Sequence, residues 1–145
     1  VNAQKKENVM SLHPITATPE QIPWIPGSQA LGDLSLFHGE ETVHFKVLSD
    51  RRSEGGGMAQ IVRFSPPPGM LIKIVANARS DEHIYILTGG HGDKSGRQRL
   101  FPGDYLLHPA GLAHGAFLAI ETTGYQVYSG EPDELVDFQV LPIGG

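Results

Sequence analysis

The sequence predicts an all-β protein, an antiparallel sandwich or jelly roll, and three observations carry that expectation. Roughly nine or ten short runs of β-type residues follow one another with turn signals between them. Gly 18 and Pro 11 are high for a helical chain and suit tight turns. No run of helical period is long enough to build a bundle. At 145 residues with 39% hydrophobic content, the chain suits one domain with one core.

In chain order, residues 1–40 read as an extended N-terminal arm. Pro14, Pro19, Pro23 and Pro26 leave little room for a helix there, and the stretch with Trp24 and Ile25 is expected to be a simple edge strand covering the core, with an anchor against the barrel or a partner subunit as the other reading. The barrel domain is expected over 41–145. In residues 42–48, Val43, Phe45 and Val47 share one face at period two, which leaves His44 on the polar, outer face. Strands are expected at 58–64, 70–75 and 82–88, with Ser65-Pro66-Pro67-Pro68-Gly69 as a hard break before the second of these. A glycine-rich turn at 92–96 leads to a further strand at 97–101. Strands near 105–108, 116–120, 125–128 and 136–141 complete the set, with a charged turn at 131–134.

Composition excludes several classes of function. A net charge of -5 and a total of 11 Lys and Arg give no basic face for nucleic acid. No apolar run approaches the ~20 residues needed to span a bilayer. With no Cys, a metal site must draw on His, Asp, Glu or amide oxygens. Residues 1–8 are polar and lack the apolar stretch of a secretory leader, so Met10 is a candidate natural start and a processed end the other reading. A cytoplasmic location is the expectation.

The most informative stretch runs from Gly103 to His114. Pro109 fixes φ and Gly111 admits positive φ, so the chain reverses sharply and delivers His114 to the next strand. This Gly-x5-Pro-x-Gly-x2-His pattern resembles the second signature motif of the cupin superfamily. Glu82, six residues and Gly89 resemble the end of that family's first motif, as does Tyr85-Ile86-Leu87-Thr88-Gly89. The similarity covers about residues 57–130 and implies a cupin-type double-stranded β-helix, a jelly-roll barrel.

In the family the final histidine, a His-x-His pair and the glutamate hold a metal. Here the pair should fall on Val75 and Asn77, or on Ala76 and Ala78, and neither choice contains a histidine. Only Glu82 and His114 match the family's ligands, and they are the candidate catalytic and metal-binding residues. Three readings stay open. The first is a divalent transition ion (Mn, Fe, Ni or Zn) with substitute ligands: His83 through a one-residue slip of register, or Asn77, Gln60 or Gln126. The second is a metal-free pocket in which Glu82 and His114 act as acid and base. The third is a scaffold with no working site.

Strand alternation with the family's spacing puts Glu82, Ile84 and Ile86 inward and His83 outward. An inward carboxylate must be paired, protonated or coordinated. His13 and His38 are expected to be solvated, and His91 to be exposed in its turn. Alternation does not fix the face of His108. The resemblance implies an enzyme acting on a small, oxygen-rich molecule such as an enolisable carbonyl compound, by cyclase, isomerase, lyase or dioxygenase chemistry. The rival is a small-molecule-binding or sensory module without turnover. A homodimer formed through the arm and an edge strand is expected in either case.

Overall fold

The computed structural model describes residues 12–144; residues 1–8 and Met10 lie outside the described residues. Among the described residues there are eleven strands and one short α-helix: β1 (Ile25–Pro26), α1 (Ser28–Leu31), β2 (Leu36–Phe37), β3 (Glu40–Glu41), β4 (Val43–Asp50), β5 (Met58–Phe64), β6 (Met70–Asn77), β7 (Glu82–Thr88), β8 (Tyr105–His108), β9 (Ala113–Leu118), β10 (Thr122–Tyr128) and β11 (Glu134–Pro142). They form a six-stranded sheet in the order β1-β4-β5-β10-β7-β8, a three-stranded sheet β11-β6-β9, and a small β2-β3 hairpin. All pairings are antiparallel. Among the described residues no helix is long and apolar enough to cross a membrane.

The two large sheets enclose the core. Val43, Val62, Ile72, Leu118 and Phe138 are buried together, with Phe45, Phe64 and Ile74 packed against them. Each such apolar side chain fully removed from water stabilises the fold by roughly 1.5–3 kcal/mol. The period-two patterns of β5, β7 and β10 turn Val62, Ile84, Ile86 and Gly124 inward.

Residues 97–101 form no strand. Arg99 and Leu100 both donate their backbone N–H to the carbonyl of His91, and the Gln98 side chain bonds the carbonyls of Gly89 and Leu100. Those local bonds satisfy the segment as a compact loop, leaving only an isolated bridge between Gly92 and Gln98.

The segment before β4 is more structured than a plain extended arm. It contains a turn of 3-10 helix at Pro19–Gln21, α1, a second 3-10 turn at Gly32–Ser35, and the hairpin, whose bend takes positive φ at His38 and Gly39. β1 extends the six-stranded sheet beside β4 (Ile25↔Phe45, Pro26↔His44). Gly27 N donates to Val43 O at 2.8 Å, and a side chain at Gly27 would collide with the Val43 backbone. Trp24 lies on the outer face with the Arg63 guanidinium 4.2 Å and the Lys46 ammonium 5.1 Å from its ring centre. His44 is half-buried on that outer face.

Candidate functional site

The bend that opens the site is held from both sides. Gly111 has φ 91, Leu112 N bonds Pro109 O, Gly111 N bonds Ala78 O at 2.7 Å, and Ala78 N bonds Leu112 O at 2.9 Å. These bonds lock the Pro-x-Gly turn to the end of β6 and set the β6–β9 register in which His114 faces Ala76. On the other sheet, β7 begins at Glu82, paired with Tyr128 of β10 and His108 of β8. A register irregularity occurs at the far end of the β7–β10 pair, near Thr123 and Gly124, and leaves Glu82 on the inner face.

Glu82, His108 and His114 meet there. Glu82 is 2% exposed. His108 Nδ1 donates to Glu82 Oε1 at 2.7 Å, and His114 Nε2 lies 3.7 Å from the same oxygen. The two imidazoles stack with ring centres 3.6 Å apart and planes 16° from parallel. One donor atom from each of the three residues lies within 4.8 Å of the others. Asp133, in the β10–β11 loop, brings Oδ2 to 2.8 Å from His114 Nε2. That approach is out of line for a hydrogen bond, and His114 Nε2 and Asp133 Oδ1 are both buried without a partner.

Neutral hydrogen-bonding groups line the same end. Gln60 Nε2 donates to Gln126 Oε1 at 2.8 Å, and the Tyr128 hydroxyl lies 3.4 Å from that oxygen.

The electrostatics divide the carboxyls. Burial pushes Glu82 up, but the hydrogen bond from His108, the Tyr128 hydroxyl and the charges of the two histidines outweigh it, so Glu82 is held below the usual range as a carboxylate. Burial, reinforced by the charge of Glu82, pushes Asp133 up to about 7. Burial and the neighbouring His108 lower His114, and burial likewise lowers His91. Two neighbouring acids whose pKa values are pushed in opposite directions, Glu82 down and Asp133 up, form the pattern of an acid–base pair.

His83 is turned away from this cluster. Its Nδ1 meets the Tyr105 hydroxyl at 2.7 Å on the outer face of the sheet, because the Glu82↔His108 and Glu82↔Tyr128 pairings leave no one-residue slip. Asn77 is also outside, bonded to Glu134 at 3.3 Å. Gln60 and Gln126 do face the cavity. At the place of the absent His-x-His pair, Ala76 and Ala78 are the buried residues, 4% exposed each.

Sequence reasoning did not find His108, His91 or Asp133. His108 lies opposite Glu82, and the pairing of β8 with β7 is the signal that assigns it inward. His91, expected to be exposed in its turn, lines the cavity because the loop folds back over the barrel. Asp133 belongs to a run of charges that reads as a solvated turn.

The cavity has a volume of about 570 Å³. It extends from the Glu82 cluster between the sheets, past Val62, Ile74 and Phe138, to Ile25 and Leu31 of the N-terminal segment.

No protein-family model matches the chain, and no curated protein matches it. Solved structures do. An RmlC-like cupin protein from Ralstonia eutropha JMP134 superposes with a TM-score of 0.64 at 13% identity, covering 91% of this chain and 82% of that one. The polyketide cyclase RemF from Streptomyces resistomycificus gives 0.53 at 17% identity over 90% and 86%. Fe(II)-HppE with an alternative substrate gives 0.54 at 17% identity, covering 79% of this chain and 60% of that chain.

Proposed function

The chain has the cupin fold, and on that premise we propose that it is an enzyme moving a proton at an enolisable carbonyl compound bound in the barrel. The observation that carries this reading is the meeting of a buried carboxylate, two stacked imidazoles and a second carboxyl, raised by burial to about 7, at one end of a largely apolar cavity.

Glu82, His108 and His114 are the residues that would hold a divalent transition ion such as Mn, Fe, Ni or Zn. Two imidazoles and a carboxylate suit any of these, and the partnerless Nε2 of His114 is a donor atom that such an ion would satisfy. When bound, such an ion supplies Lewis-acid stabilisation of a carbonyl or enolate oxygen. Asp133 gives or takes the proton beside it. Tyr128 and Gln126 orient the oxygen with neutral hydrogen-bonding groups, and Val62, Ile74 and Phe138 keep water scarce, which strengthens each of these interactions.

The second reading is a binding module without turnover. It is supported by the pairs Glu82–His108 and Gln60–Gln126, in which these polar groups already satisfy one another. Deuterium exchange at the α-carbons of hexan-2-one, followed by NMR, separates the two. Exchange accelerated by the protein and lost in Asp133→Asn supports the enzyme; binding without acceleration supports the module.

A further inference from the structure

We infer that the ligand of this cavity is an elongated molecule with one polar, oxygen-bearing end and an apolar body about 10 Å long, rather than a compact oxygen-rich one. This rests on the cavity being the working site.

Most of the polar groups gather at one end; Arg52 also lines the cavity, and Gln29 of α1, an exposed side chain beside Leu31, stands at the far rim. Glu82, His108, His114, Gln126, Tyr128 and Asp133 all stand at or beside the ends of strands on that side of the barrel. Of the lining residues, His114 and Asp133 are the ones with a buried polar atom that lacks a hydrogen-bond partner, and both belong to this end. Beyond them the wall is Val43, Phe45, Val62, Ile74, Leu118 and Phe138, which offer a ligand no polar side-chain atom.

Size points the same way. The lining continues to Ile25 and Leu31, beside β4, and β4 stands three strand spacings from Glu82 on β7, a span of at most about 14 Å. A three- or four-carbon oxygenated acid bound at the cluster would fill a small part of about 570 Å³ and leave the apolar wall facing water or void. Ala76 widens the cavity where a larger side chain would narrow it. An apolar body covers the remaining wall, while the polar end meets the unpartnered atoms.

The test is a homologous series of methyl ketones, butan-2-one to decan-2-one, titrated calorimetrically into the intact protein with pyruvate as the compact, oxygen-rich control. The expected result is an affinity that rises two- to fourfold per methylene up to about eight or nine carbons, with a negative heat-capacity change. Leu31→Asp should weaken octan-2-one at least tenfold and leave butan-2-one unchanged; Leu31→Ala serves the same comparison if the first variant melts early. A flat series, or pyruvate binding more tightly than octan-2-one, would overturn the inference. Length dependence without α-exchange would retain the ligand class and remove the enzyme, whereas exchange on butan-2-one as fast as on octan-2-one would do the reverse.

Discussion

His108 Nδ1 meets Glu82 Oε1 at 2.7 Å across the β7–β8 pair, while His83, one residue along from Glu82, bonds Tyr105 on the opposite face. A single register therefore decides which imidazole belongs to the site. Glu82→Gln and His108→Ala should each lower metal affinity or α-exchange by a hundredfold or more, with melting temperatures near wild type, and His83→Ala should change either by less than threefold. Activity lost in His83→Ala and kept in His108→Ala would reverse the assignment.

Asp133 predicts an unusual dependence of stability on pH in protein stripped of metal by chelator. Its carboxyl is raised above its unfolded value, so the folded chain holds this proton more tightly, and the stability it contributes is present below about pH 4 and is lost as pH rises through about 7. Asn mimics the protonated form. Asp133→Asn should therefore melt roughly 3–6 °C above wild type at pH 8, with the difference vanishing near pH 4. His114 and His91, lowered by burial, act oppositely: their stability is lost as pH falls below about 6.5 in both proteins. Equal melting curves at pH 8 would show that Asp133 ionises freely.

The N-terminal segment supports a dimer proposal. Leu12 and Ile15 are 74% and 79% exposed, an arrangement suited to an apolar strip laid across a second copy. Removing residues 1–26 should convert a dimer to monomer or aggregate on light scattering, and would also strip Ile25 and Pro26 from the cavity wall. A truncated chain that remains a well-behaved dimer contradicts the proposal.

What was legible in the sequence followed from local chemistry. The Pro109-x-Gly111 bend, the alternation that buries Glu82 and Ile84, and β5 from Met58 to Phe64 depend on neighbouring residues, and all appear as read. His108, His91 and Asp133 depend on which strands pair and on how two loops fold over the barrel mouth, information that periodicity does not hold. Outward apolar residues added to the difficulty: Tyr85, Tyr105 and Leu107 are about half exposed, so hydrophobicity alone does not mark the inner face of β8. The 97–101 segment misled for a related reason: its place between two glycine turns suggests a strand, but bonds to the His91 carbonyl fold it as a loop.

On the proposed reading Glu82, His108 and His114 form a metal-binding cluster in place of the absent histidine pair. Elemental analysis of protein purified without added metal tests it most directly. The account predicts close to one equivalent of a single transition ion, lost in His108→Ala and retained in His83→Ala. Far less than one equivalent, with no recovery after adding Mn, Fe, Ni or Zn, would contradict it.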